Sequence, residues 1–247
     1  VRGSSLPGKG VPSLENKLVA VPVFNEEKSV EKVLNAIVQY AGPADILVID
    51  DGSTDFSRQF LACFDNIHLI RHARNLGYGQ SLINAFQFAI ATGYEYLVTI
   101  DCDEQHEPQR IPRFFSRLTE GWDIVSGSRY LTTEAVGTVP EDRQQINQVV
   151  TKRVNEITGF GLTDSFCGMK GYKVASLNKL TLTETGYGFP LQLWLEAHRA
   201  GLTVVEEAIP LIYIDNFDRS FGLELDDPEQ RLRYYWRVIN EGVSKCN

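Results

Sequence analysis

Short apolar runs alternate with longer amphipathic stretches through the first half of the chain. Lys17 to Val23, Ile46 to Ile49, Ile67 to Ile70, Tyr94 to Ile100 and Trp122 to Ser126 have strand length and are rich in β-branched and aromatic residues. Between them lie segments of helical period. Val30, Val33, Leu34, Ile37 and Val38 fall on one face of a helix opened by Asn25 or Glu26 and broken by Gly42-Pro43. Ser53 or Thr54 is placed to cap a second helix carrying Phe56, Phe60 and Leu61. Gly77-Tyr78-Gly79, read as a tight turn with close helix packing, introduces a third through Leu82, Ile83, Phe86 and Ile90, closed at Gly93. Pro108 and Pro112 flank the start of a fourth, through Phe114, Phe115 and Leu118. Strands alternating with helices predict an α/β fold with a mainly parallel central sheet and helices on both faces. Ligands of such sheets bind outside the carboxyl ends of the strands.

The second half is less regular. A helix over 141–158 carries Arg143, Asn147, Lys152 and Arg153 on its polar face and ends at Gly159-Phe160-Gly161. Thr163 to Tyr172 reads as a loop leading into a short strand, and Leu191 to Ala200 as a helix stopped by Gly201. Leu202 to Ile214 reads as two short strands split by Glu206-Glu207. A polar loop from Asp215 to Asp227 precedes a last helix, Gln230 to Asn240, in the segment 228–247. Residues 1–16, with Gly3, Pro7, Gly8, Gly10 and Pro12, read as a flexible arm.

Charge narrows the range of partners. A net charge of -8 argues against a general nucleic-acid binder, though not against a local basic pocket for one phosphorylated ligand. Cys63, Cys102, Cys167 and Cys246 contain no C-x-x-C pair and make a poor disulfide framework. With no apolar run of membrane-spanning length and no signal peptide, a cytoplasmic location is expected.

Chemistry clusters where strands end. Asn25-Glu26, Asp50-Asp51 and Asp101-Cys102-Asp103 each follow an apolar run. Paired carboxylates at a strand end supply the hard oxygen ligands that suit Mg²⁺ or Mn²⁺, and magnesium commonly shares its shell with substrate phosphates. The same two aspartates also suit a solvated turn. Asp50-Asp51-Gly52-Ser53 can accept hydrogen bonds from a nucleobase or ribose, or form an Asx turn, or both. His68, His72, His106 and His198 show no metal-ligand spacing.

Five segments in order carry a resemblance: Val21-Pro22-Val23-Phe24-Asn25-Glu26, Ile49-Asp50-Asp51-Gly52-Ser53-Thr54-Asp55, Arg74-Asn75-Leu76-Gly77, Asp101-Cys102-Asp103-Glu104-Gln105-His106 and Gly127-Ser128-Arg129-Tyr130. Together they resemble family 2 glycosyltransferases, in particular the branch of dolichyl-phosphate mannose synthases and other polyprenyl-phosphate glycosyltransferases. The resemblance spans residues 17–222 and implies a GT-A fold, a GDP- or UDP-sugar donor and an inverting, metal-dependent transfer of a hexose of mannose or glucose type. It makes residues 17–130 the half that binds the nucleotide sugar and 131–227 the half that binds the acceptor. Asp101, Asp103 and Gln105 would be metal and diphosphate ligands. Pro22, Phe24, Glu26, Ile49 and Asp51 would line the nucleoside site with Cys102 against it. Phe24 stands where the family usually has Tyr. Arg129 would lie near the donor or acceptor phosphate, with Arg143 a further candidate for the acceptor phosphate. Gly188-Phe189-Pro190-Leu191-Gln192 resembles the family's aromatic-Gln stretch. Arg219-Ser220-Phe221-Gly222 matches an R-x-x-G signature whose Arg contacts the donor diphosphate, so Asp103, Arg129 and Arg219 would carry the catalysis. The family's following Ser-Lys is replaced by Glu224-Leu225.

The acceptor implied is a polyprenyl phosphate, which arrives ionised and needs no general base. A sugar-hydroxyl acceptor would need one, and Asp164 and Glu196 are the available carboxylates. A further alternative is a nucleotide-sugar-binding module without turnover. Arg231, Arg233 and Arg237 beside Tyr234, Tyr235 and Trp236 suit either a peripheral membrane contact or packing onto the catalytic domain.

Overall fold

The computed structural model describes residues 16–133, 135–136, 140–213 and 225–244. The first half runs β1 (Lys17–Val23), α1 (Val30–Tyr40), β2 (Asp45–Asp50), α2 (Ser57–Leu61), β3 (His68–Arg71), α3 (Tyr78–Thr92), β4 (Tyr96–Thr99), α4 (Ile111–Thr119) and β5 (Ile124–Ser128). The second adds β6 (Ala135–Val136), α5 (Glu141–Thr158), β7 (Lys170–Lys173), α6 (Val174–Leu177), α7 (Phe189–Arg199), β8 (Val204–Ala208), β9 (Leu211–Ile212) and α8 (Pro228–Ser244).

Seven strands form one mixed sheet in the order β3-β2-β1-β4-β7-β5-β8. Every pairing is parallel except those of β7, which inserts antiparallel between β4 and β5. Strand β7 comes from the second half of the chain, so one sheet runs through both halves. Leu18 to Val21 are all fully buried, as expected of a strand covered on both faces. Leu18, Ala20 and Leu47 pack with Leu82, Phe86 and Trp194 on one face. Val19, Val21 and Val48 pack with Leu34, Ile37 and Phe114 on the other.

Three local expectations are corrected. Asn25 and Glu26 do not open α1. Asn25 takes a left-handed φ of 55°, and its side-chain oxygen accepts the Thr54 amide at 2.8 Å. The turn after β1 is thereby stapled to the turn after β2, and the helix starts only at Val30. Ser53 does not cap α2 either: its hydroxyl accepts the Asn25 amide, while Asp55 accepts the amide of Ser57. Finally, Glu206-Glu207 lies inside β8, and the break falls after Ala208. An edge strand tolerates charged side chains, and here Glu206 accepts the backbone amides of Thr163 and Asp164. Among the described residues, no helix is long and apolar enough to cross a membrane.

Candidate active site

A cavity of about 960 Å³ opens at the carboxyl ends of β1, β2 and β4, where Glu26, Asp51 and Asp101 all line it. The three acidic clusters thus converge, as parallel neighbouring strands require.

The end of β2 at Asp50 separates core residues from cavity residues. Ile49 is fully buried in the core with Leu18 and Leu47 and does not line the cavity, which corrects its expected place against the nucleoside. Asp50 is also fully buried and accepts from the Ser53 amide and from Arg71 Nε. Asp51 faces the cavity, held by the amides of Leu76 at 2.8 Å and Gly77 at 2.9 Å and by His72 Nδ1 at 2.6 Å. Pro22 and Phe24 line the same wall, with Phe24 43% exposed. Cys102 lines it too, and burial, then the carboxylates of Glu26, Asp103 and Asp101, push its thiol well above its ordinary range.

Asp101 is clamped on three sides. Tyr78 donates its hydroxyl to Oδ1 at 3.0 Å. His106 Nδ1 stands 3.7 Å from Oδ2. A Cβ added at Gly168 would overlap the carboxylate. Burial, and then the charge of Asp101, raise the Tyr78 pKa well above the ordinary value, so the hydroxyl stays protonated and remains a donor. We expect Gly168→Ala to lower turnover about a hundredfold by displacing Asp101 while leaving a folded protein. Unaltered kcat at an unaltered melting temperature would refute the clamp.

Gln105 faces the cavity. Asp103 does not line it: the residue is 1% exposed, and its Oδ1 accepts the Gln105 amide at 3.0 Å. The intervening Glu104 takes a left-handed φ of 61°. The motif is therefore both a turn and a set of hard oxygen donors. No three His, Cys, Asp or Glu side chains among the described residues form a metal cluster. The donor chemistry still fits a divalent cation whose remaining ligands come from a diphosphate and water.

The opposite wall comes from residue 129 onward. Arg129 donates from Nε and Nη2 to the two oxygens of Asp164, at 2.6 and 2.9 Å, and Asn147 donates to the same carboxylate at 2.8 Å. Burial alone would raise the pKa of Asp164, but Arg129 and these hydrogen bonds bring it down to about 2. Asp164 is therefore a structural counter-ion and a poor base. Glu196 is 5% exposed, lies outside the cavity and pairs with Arg199 at 2.5 Å. Both carboxylates offered as bases for the alternative sugar-hydroxyl acceptor are thus held in ion pairs.

Arg143 lines the cavity and stands over the Tyr213 ring at 5.8 Å. Arg231 lines it as well. It is 3% exposed and donates to Asp142 at 2.7 Å and to the Leu225 carbonyl at 3.2 Å. The three arginines of this helix part company: Arg231 turns inward and Arg233 and Arg237 are exposed. The signal was its spacing, four before Tyr235, on the buried stripe with Val238, Ile239 and Gly242. Gln192 of the aromatic-Gln stretch is likewise internal, accepting the amides of Thr183 and Glu184. Arg219 and its R-x-x-G signature lie outside the described residues.

Residues 18–181 match the sequence profile of Glycosyl transferase family 2. The chain belongs to that family. It is a glycosyltransferase of α/β GT-A fold. Polyprenol monophosphomannose synthase of Mycolicibacterium smegmatis is 27% identical over 209 residues, covering 81% of this chain and 78% of that protein. Undecaprenyl-phosphate mannosyltransferase of Micrococcus luteus is 26% identical, covering 80% and 83%. Glucosyl-3-phosphoglycerate synthase from Mycobacterium tuberculosis, solved with Mn²⁺, UDP and glucosyl-3-phosphoglycerate, superposes with a TM-score of 0.70 at 20% identity, over 92% of this chain and 79% of that one. That likeness is one of fold.

Proposed function

We propose that this glycosyltransferase moves a hexose of mannose or glucose type from a GDP- or UDP-sugar to a polyprenyl phosphate, with inversion and with a divalent cation. One observation carries the reading: the cavity is electrostatically divided. Its lining from residues 22–106 holds five carboxylates, Glu26, Glu27, Asp51, Asp55 and Asp101, and one lysine, Lys28. Its described lining from residue 129 onward holds Arg129, Arg143 and Arg231 and no carboxylate, with Asp164 and Asp142 pairing with Arg129 and Arg231 from outside that lining. The acidic wall suits a nucleoside and a cation-bound diphosphate. The basic wall, interleaved with Phe166, Tyr213, Tyr235 and Ile146, suits an anionic headgroup on an apolar chain. The names of the mannosyltransferase relatives agree with that acceptor.

Asp101 and Gln105 would hold the cation, which supplies positive charge to the departing diphosphate, while Asp103, buried off the cavity, holds the Gln105 amide and so shapes the turn that presents them. Asp51, fixed by two amides and His72, orients the nucleoside. Arg143 and Arg231 draw in the acceptor phosphate, whose second pKa of about 6 leaves it largely dianionic at neutral pH. A phosphate oxygen attacks the anomeric carbon as the bond from that carbon to the diphosphate oxygen breaks. No proton has to be removed, which agrees with an Asp164 already committed to Arg129. Exposed Arg233 and Arg237 flank Trp236 on the outer face of α8, a surface suited to peripheral contact with the membrane that holds such a lipid. Salt-sensitive co-sedimentation with anionic vesicles supports that contact, and none at low salt removes it.

Incubation with Mn²⁺ or Mg²⁺, a panel of GDP- and UDP-sugars and a short polyprenyl phosphate tests the whole reading. Lipid-linked sugar is the expected product. Turnover only with a saccharide acceptor, or nucleotide binding with no turnover under any pairing, overturns it.

A further inference from the structure

We propose that Tyr78 is a positioning residue, whose hydroxyl holds the Asp101 carboxylate in the orientation that receives the cation, and that Tyr187 locks Tyr78 in place. The inference rests on the cation reading above. An aspartate just beyond a strand end has rotamer freedom, and a ligating carboxylate performs best when outer hydrogen bonds fix it. Tyr78 is the hydrogen-bond donor that the described structure gives Asp101, at 3.0 Å.

The Tyr78 ring has its own support. It opens α3 between Gly77 and Gly79, and Cβ atoms at those two positions would overlap the carbonyls of Thr185 and Glu184. The first turn of α3 therefore presses against the backbone of 184–185, with the Gln80 amide bonded to the Thr185 carbonyl at 3.1 Å. That contact carries Tyr187 over Tyr78, the two rings stacked at 5.9 Å and 15°. On its far side the same segment is tied to α8. Tyr234 donates to Glu184 Oε1 at 2.6 Å and accepts the Gly188 amide at 2.9 Å. A chain of contacts thus runs from α8, beyond the family match, through Tyr187 and Tyr78 to Asp101. Packing alone would be satisfied by phenylalanine at 78. The hydroxyl aimed at Oδ1 is what packing does not require.

Tyr78→Phe keeps the ring and removes only that hydroxyl. Mn²⁺ is titrated into the full chain with GDP or UDP present, and free Mn²⁺ is read by electron paramagnetic resonance. We expect Tyr78→Phe to weaken Mn²⁺ binding about tenfold, with metal-free nucleotide affinity and melting temperature unchanged. Asp101→Asn serves as the reference for a lost ligand. Wild-type Mn²⁺ affinity in Tyr78→Phe, beside a weakened Asp101→Asn, overturns the role of Tyr78 alone. Equal affinity in all three proteins, or no Mn²⁺ binding by the wild type, overturns the cation reading and this inference with it.

Discussion

Asp101→Asn is expected to lower kcat by about a thousandfold, the scale of losing one preorganised charge-stabilising group from a transferase site. The substitution is nearly isosteric. Asn keeps a carbonyl oxygen for the Tyr78 hydroxyl, which now sits 3.0 Å from Oδ1, so the fold has little reason to change. What disappears is the negative charge that faces the cavity. The side chain is 20% exposed, enough to reach a ligand and buried enough that water screens it weakly. Loss of that charge weakens the cation, and with it the stabilisation of the departing diphosphate, where charge grows most. Steady-state kinetics at saturating donor, with melting temperature as the fold control, decides the point. A kcat within threefold of wild type would remove Asp101 from the chemistry.

Asp164→Ala is expected to destabilise the protein by about 3–5 kcal/mol, because it leaves the buried end of Arg129 without its counter-ion. Asp164 has 0% side-chain exposure against 21% for Arg129. The variant also strips partners from Asn147 and from the Phe166 amide. The pH dependence has a definite sign. Burial favours the neutral acid, but Arg129 and the hydrogen bonds outweigh it and lower the pKa of Asp164 from 3.8 to about 2. A carboxylate whose folded pKa is depressed contributes stability above its unfolded value and loses it as pH falls through the folded one. Nearly two units correspond to about 2 kcal/mol, at about 1.4 kcal/mol per unit. Urea denaturation of the wild type should therefore lose about that much more stability between about pH 4.5 and 2 than the variant does. Parallel acid limbs in the two proteins would contradict the ion pair.

Much of this arrangement is legible from local pattern. Uninterrupted apolar runs give β1, β2 and β4 because buried parallel strands are covered on both faces. An acidic residue that follows such a run is carried to the carboxyl edge of the sheet. What pattern did not disclose depends on direction. Ile49 lies inside β2 and packs with Leu47 in the core, while Asp51, one residue past the end of the strand, faces the cavity. Arg231 and Arg233 are two residues apart on α8, and a rotation of about 200° between them separates cavity from solvent. Pairings distant in sequence were equally hidden. Arg129 and Asp164 are 35 residues apart, and only the fold shows that a candidate base is already spent on an arginine. Tyr78 was readable as part of a glycine-flanked turn, but its bond to Asp101 needs the turn after β4 brought to the start of α3.

The division of the cavity into an acidic and a basic wall is the central claim, and the acceptor's own charge tests it most directly. The measurement compares transfer from the same nucleotide sugar to a short polyprenyl phosphate and to the matching polyprenol. With Asp164 bound to Arg129 and no carboxylate among the described residues of the basic wall, the phosphate should be glycosylated and the alcohol left untouched. Turnover of the alcohol at a comparable kcat/KM would mean that the site supplies a base, and the reading of the basic wall would be wrong.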